Sequence, residues 1–247
     1  MNNNLLKNII DASEKGIKQL AVLIDPDKMK IETVSSFMAK VNQSIATHIF
    51  VGGSEVDEGL TETLVVEIKK HTLIPIILFP GDVIQITDKA DGILFLSLIS
   101  GRNPDYLIGK QVEAVSKLAK THLEIIPTGY LLIENGKETA VQRVSETKPI
   151  QRKDLQIIKD TAKAGELLGM KLIYLEAGSG ATHAIEPNII SEVKHQLNIP
   201  LIVGGGIKTE TALDSAYAAG ADLVVIGTAF EDDETFFYKL KKQKVFN

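Results

Sequence analysis

The residues able to do chemistry in this chain sit in short runs that combine glycine with a hydroxyl or a carboxylate. The densest is Val203-Gly204-Gly205-Gly206-Ile207, followed by Lys208 and Thr209; its companion, one helix later, is Val225-Ile226-Gly227-Thr228-Ala229. Glycine has no Cβ, so backbone N–H groups can close on an anion. Thr228 adds a hydroxyl, and a helix starting beyond such a turn adds a favourable field. Gly205, Gly206, Gly227 and Thr228 therefore outline a phosphate cup. Three glycines could serve only as a tight turn, but two such turns at successive strand ends favour the cup. The anion expected is the phosphate of a small molecule, because neither a GxxxxGKS/T loop nor a GxGxxG fingerprint is present.

A second run, Ile173-Tyr174-Leu175-Glu176-Ala177-Gly178-Ser179-Gly180-Ala181, places a carboxylate beside three small residues. Next to a bound phosphate, Glu176 would repel the ligand unless it had other work, and taking a proton from a substrate hydroxyl is the natural use. The bland alternative is a structural Glu bonded to backbone or to a cation. Asp25, in Leu23-Ile24-Asp25-Pro26-Asp27-Lys28, stands where a first strand ends. Beside phosphate it suits Mg²⁺, which takes carboxylates, waters and ligand phosphates, although Asp-Pro-Asp-Lys is also ordinary turn composition. Ser54, in Val51-Gly52-Gly53-Ser54, could meet the same ion or a phosphate. Tyr130 and Glu134 are expected past strand five, beside the pocket. The five histidines (His48, His71, His122, His183, His195) have no metal-ligand spacing and read as surface or packing residues, with His183 nearest the glycine loop. No GxSxG elbow supports a Ser-His-Asp hydrolase.

Positioning these groups requires a scaffold. Eight nearly continuous apolar runs read as parallel strands buried on both faces: Leu20–Ile24, His48–Val51, Ile74–Phe79, Gly92–Leu96, Leu123–Pro127, Leu172–Leu175, Leu201–Val203 and Leu223–Ile226. Helical spacing falls between them over Thr33–Val41, Leu60–Lys69, Asp105–Lys120, Lys153–Leu168 and Thr209–Ala219, with a last helix over Asp232–Lys242 whose acidic start and lysine end suit the dipole. One (β/α)₈ TIM barrel over 1–247 follows, with the chemical runs at its C-terminal strand ends. A doubly wound sheet is the rival. Between Pro80 and Gly92 there is room only for an irregular or shortened helix, and 135–152 reads as a polar, loop-like and mobile segment.

Composition narrows the classes. The chain has 247 residues, 27 basic against 32 acidic side chains, and no cysteine. That excludes disulfide scaffolds, thiol nucleophiles and Cys-ligated metals. A net charge of −5 with no basic tail is unsuited to nucleic acid. No signal-like or membrane-spanning stretch is evident, so a cytoplasmic location is expected.

In order and spacing, LIDPDK, VGGS, YLEAGSGA, VGGGI and VIGTA resemble the geranylgeranylglyceryl phosphate synthase family, over about five-sixths of the chain, and more closely its larger-chain branch of archaea and some bacteria. The resemblance implies a Mg²⁺-dependent TIM-barrel prenyltransferase. It would join the primary hydroxyl of sn-glycerol 1-phosphate to the first carbon of a polyprenyl diphosphate, twenty carbons being the family expectation. It also implies that Asp25 and Ser54 hold the metal and that Tyr174, Leu175, Glu176, Ala177, Gly178, Ser179 and Gly180 hold the glycerol phosphate. Within that run Glu176 is the base and Tyr174 shares the catalytic site; Gly205, Gly206, Gly227 and Thr228 complete the cup. A homo-oligomer, dimer or hexamer, is implied, with only transient membrane contact. The shorter-chain branch carries a Lys two residues before the metal Asp; here Leu23 stands there, so phosphate contact on that side would be lost, or replaced by Lys28 or a metal-bound water. Phe79, Val83, Ile84, Ile86, Leu131 and Leu132 are expected to leave room for the prenyl tail. Two alternatives remain on the residues alone: another phosphate-binding barrel, such as a sugar- or indole-phosphate isomerase, and a catalytically silent phosphate-binding protein.

Overall fold

All eight apolar runs form strands. They are β1 (Gln19–Ile24), β2 (His48–Val51), β3 (Ile76–Leu78), β4 (Gly92–Leu98), β5 (Glu124–Leu132), β6 (Leu172–Glu176), β7 (Leu201–Gly204) and β8 (Leu223–Ile226). Each pairs in parallel with its neighbour in chain order, and β8 returns to β1, closing the barrel. The computed structural model describes residues 4–232 and 236–240.

Alternation along the strands sorts the side chains. Ala21, Phe50, Ile77, Leu94, Tyr130, Tyr174, Ile202 and Val225 fill the barrel interior. Their neighbours, among them Val22, Ile49, Leu131, Leu175 and Val203, pack outward beneath the helices. Strand β5 runs five residues beyond Pro127. The proline removes one donor, but its carbonyl still accepts from Lys171 N at 2.8 Å, so the ladder continues. Tyr130 therefore lies inside the strand and not past it.

The helices are α1 (Leu5–Glu14), α2 (Val34–Gln43), α3 (Leu60–Lys69), α4 (Lys110–Leu118), α5 (Ala140–Ser145), α6 (Leu155–Leu167), α7 (Pro187–Gln196), α8 (Glu210–Ala218), α9 (Thr228–Asp232) and α10 (Phe236–Lys239). Two long ones were not foreseen. Helix α1 inserts Leu5 and Ile9 into the barrel's N-terminal end, and the Glu124 carboxylate accepts from Leu5 N at 2.6 Å and Leu6 N at 2.9 Å. Helix α7 begins on Pro187, where the missing N–H costs nothing, and buries Ile189, Ile190 and Val193. The expected 105–120 helix starts with a π-helical turn, Asp105–Gly109, before α4. After β3 only a 3₁₀ turn, Val83–Gln85, replaces an outer helix, as the short spacing requires. Of the helix expected over Asp232–Lys242, 236–239 form α10, while 233–235 and the last two lysines, Lys241 and Lys242, lie outside the described residues.

The 135–152 segment is structured, contrary to expectation. Asn135, Thr139, Ser145 and Thr147 are buried, and α5 is anchored by Tyr106 Oη donating to Val144 O at 2.9 Å and Asn103 Nδ2 to Ser145 O at 2.8 Å. Its polar side chains satisfy backbone groups internally, which is why composition alone reads as loop. Among the described residues, no helix is long and apolar enough to cross a membrane.

Candidate active site

The C-terminal strand ends surround a cavity of about 410 Å³. Along β6 the period of two turns Tyr174 and Glu176 inward, and the chain then leaves through Ala177 into Gly178. Glu176 is 5% exposed, and Gly178 N donates to its Oε1 at 2.5 Å. Burial pushes its carboxyl above the usual range; the Tyr174 hydroxyl and the Gly178 N–H oppose that shift. The carboxylate is thus a stronger base than one in water, and it opens into the cavity.

The two glycine runs close around it. A Cβ on Gly204 would stand 2.3 Å from the Tyr174 hydroxyl, and one on Gly205 would stand 2.4 Å from Glu176 Oε1, so β7 presses its backbone against the acid. Gly205 and Gly206 have φ of +83° and +72°, left-handed backbone that glycine adopts without cost, so backbone and not side chain forms this part of the cavity wall. Across the cup Ser179 Oγ and Thr228 Oγ1 lie 3.2 Å apart, joining the loops after β6 and β8, and α9 starts at Thr228. Ser179, Gly180, Gly205, Gly206, Gly227 and Thr228 all line the cavity.

Leu175 and Ala177 are placed differently. Both side chains are fully buried in the outer core, because odd positions of this strand face the helices. Any contact they make with a ligand is through backbone, and Ala177 N is already committed to Gly204 O at 3.0 Å. Glu134 also lies outside the cavity: it accepts from Gly136 N at 2.5 Å and pairs with Arg152 at 3.6 Å. Leu131 and Leu132 are wholly buried, so neither leaves room for a tail. Val83 and Ile86 instead face Phe95, Leu96 and Ala114 across a small cleft of about 50 Å³ where the outer helix is missing. The His183 ring is not part of the cavity wall; its carbonyl accepts from Arg152.

On the far wall Asp25 Oδ1 accepts from Asp27 N at 3.1 Å, and Lys28 Nζ stands 3.3 Å from Oδ2. The loop after β2 brings Ser54 to the same cavity, with Asp27 and Glu55 nearby. Among the described residues no group of three or more His, Cys, Asp or Glu could hold a metal. A carboxylate and a hydroxyl facing a phosphate cup nevertheless match the needs of Mg²⁺, which keeps waters and takes substrate oxygens. Leu23 lines the cavity where a lysine could have stood, and Lys28 and Lys208 are the cations on its wall.

Three features escaped sequence reading. Gln85, 2% exposed, donates Nε2 to Gly53 O at 2.8 Å and so fixes the loop carrying Ser54. Asn135 donates Nδ2 to Ala177 O, bracing the β6 loop from the β5 side. Arg143 reaches Glu55 at 3.1 Å, linking α5 to the loop after β2 across the cavity mouth. A buried amide is not distinguishable from a surface one by type alone; only its position in the 3₁₀ turn replacing the helix could have marked Gln85.

This chain matches the PcrB family over residues 14–244. It is 58% identical to a geranylgeranylglyceryl phosphate synthase of Zunongwangia profunda, over 93% of this chain and 98% of the relative. It is 55% identical to one of Flavobacterium johnsoniae, over 94% and 95%. Among solved structures, (S)-3-O-geranylgeranylglyceryl phosphate synthase of Thermoplasma acidophilum, in complex with its substrate sn-glycerol-1-phosphate, superposes with a TM-score of 0.89 at 33% identity, covering 96% of this chain and 95% of that one. A tryptophan synthase α-subunit of Pyrococcus furiosus, at 14% identity and a TM-score of 0.54, shares the fold alone.

Proposed function

The chain belongs to the PcrB family, and on that premise we propose that it is a geranylgeranylglyceryl phosphate synthase, transferring a geranylgeranyl group from its diphosphate to the primary hydroxyl of sn-glycerol 1-phosphate. The observation that carries this reading is the buried Glu176 carboxylate, held by Gly178 N and opening onto the cup of Gly205, Gly206 and Thr228.

The cup receives the glycerol phosphate through backbone N–H groups and the Ser179 and Thr228 hydroxyls, fixing the acceptor before reaction. Glu176 then sits where the acceptor hydroxyl must be. Its raised basicity suits it to take the hydroxyl proton as the oxygen attacks carbon one of the donor. Tyr174, packed beside Glu176 against Gly204, would limit the carboxylate's movement within the cavity. Asp25 and Ser54 would hold Mg²⁺, which when bound neutralises diphosphate charge and makes it a better leaving group. Lys28 and Lys208 add positive charge around the phosphates. In this reading the apolar tail would leave the cavity on the side of the missing helix, where Val83, Ile86 and Leu96 line a small cleft. An isomerase reading leaves that cleft and the Asp25–Ser54 wall without a use.

The test is ether-lipid formation by purified protein from Mg²⁺, sn-glycerol 1-phosphate and prenyl diphosphates of graded length, beside sn-glycerol 3-phosphate and an EDTA control. Metal-dependent product from the 1-phosphate, best with the twenty-carbon donor, is expected. No product with any donor overturns the assignment.

A further inference from the structure

Three aromatic rings meet on the cavity wall beside Glu176. Phe79 follows the end of β3, Tyr130 lies in β5 and Tyr174 in β6, and all three line the cavity. Phe79 stacks on Tyr174 with centroids 5.5 Å apart at 24°, and lies 5.8 Å from Tyr130 at 58°. Tyr130 meets Tyr174 edge to face at 5.2 Å. Phe50 stands behind Phe79 at 6.4 Å. The Tyr130 and Tyr174 rings are almost wholly excluded from water, while Phe79 is half-buried and keeps its exposed part toward the cavity. Burial and the Glu176 charge push both phenols well above their usual range, so the rings stay neutral.

We infer that this aromatic corner, with Phe79 as its accessible face, stabilises the positive charge that develops on the allylic carbons of the prenyl donor. The inference rests on the proposed transferase reading. In the step itself, the bond from carbon one to the diphosphate oxygen breaks and its electron pair leaves with diphosphate. The acceptor hydroxyl oxygen forms the new bond to carbon one, and its proton passes to Glu176. Between breaking and making, the allyl unit carries charge that an apolar wall alone would leave unsolvated. The negative face of an aromatic ring attracts such a cation most strongly where water is excluded. The position fits the substrate's other demand as well. Phe79 stands at the start of the stretch in which a 3₁₀ turn replaces an outer helix, the side on which the proposed reading places the tail. A ring that served only as packing would need shape and no π density.

Site-specific replacement of Phe79 by mono-, di- and trifluorophenylalanine separates these roles, since fluorine drains the ring face at nearly constant shape. Single-turnover rates with Mg²⁺, sn-glycerol 1-phosphate and geranylgeranyl diphosphate are expected to fall stepwise along the series, by about 10- to 30-fold in all. The Kd for sn-glycerol 1-phosphate should stay constant. A flat series overturns the inference even if Phe79→Leu is inactive or fails to fold. Absence of turnover by the unsubstituted protein would instead defeat the transferase reading itself.

Discussion

Replacing Gly205 by alanine should damage the site far more than the fold. Its φ of +83° costs an L-residue about 1–2 kcal/mol. The new Cβ would stand 2.4 Å from Glu176 Oε1, 2.6 Å from Gly178 N and 2.9 Å from the Ala177 Cβ. Ordinary contact begins near 3.4 Å, so the acid or its loop must move by about 1 Å. A displacement of that size at a reacting group costs on the order of 10²-fold in rate. Gly169 supplies the control. It has φ of +97° after α6, and nothing lies within 4 Å of a Cβ built there. Gly169→Ala thus carries the same backbone cost without the collision. Denaturant titration should show both variants destabilised by about 1–2 kcal/mol. Steady-state kinetics with sn-glycerol 1-phosphate should show kcat/KM collapse only for Gly205→Ala. Wild-type kcat/KM in Gly205→Ala, or an equal loss in Gly169→Ala, would refute the claim that the close approach of β7 to Glu176 sets the site.

Glu176→Gln should lower kcat by about 10²- to 10⁴-fold. Because burial raises this carboxyl in the folded state, the native protein holds its proton to higher pH than the unfolded chain, and the charged form weakens the fold as pH rises past the ordinary range. The variant should therefore melt above wild type at pH 8, with the gap closing near pH 4; a lower melting point at pH 8 would contradict the desolvation account. His48 acts in the opposite direction. Burial holds its imidazole at about 4 against 6.5, so the unfolded chain binds the extra proton between those values and stability is lost as pH falls through that window. The loss is roughly 3 kcal/mol, and denaturation of His48→Asn across pH 4 to 7 should lack it. Glu124→Ala removes the acceptor from the first N–H groups of α1 and should cost about 1–2 kcal/mol, with amide exchange accelerating in α1.

The barrel was legible because its strands are buried on both faces, and such strands leave unbroken β-branched runs in sequence. His48–Val51 and Leu223–Ile226 have the bounds expected. Errors arose where a single residue type was read without its partner. The strand expected to end at Pro127 continues to Leu132, because a ladder tolerates one missing donor when the proline carbonyl is still used. Helix α1 was hidden because only Leu5 and Ile9 are buried; Lys7, Asn8, Asp11 and Glu14 dilute the rest of its stripe. Segment 135–152 looked mobile because Thr139 and Ser145 spend their hydroxyls on α5's own backbone, a use that composition does not distinguish from solvation.

The site divides along the same line. A backbone cup advertises itself, since close approach and positive φ demand glycine at fixed places, and Gly205 and Gly206 could be named from sequence for that physical reason. Side chains that act by their faces or by bracing do not. Phe79, Tyr130 and Tyr174 come from three strands' ends and meet only once β3, β5 and β6 are closed on one axis. An error of one residue in the register of β5 would turn Tyr130 outward, beneath the helices. The chemistry proposed for Glu176 depends on that closure as much as on its own type. A carboxylate becomes a strong base where neighbours exclude water, and the neighbours doing so here are Tyr174, Gly204 and the Asn135-braced turn at Gly178. Sequence locates the acid; only the closed barrel sets its basicity.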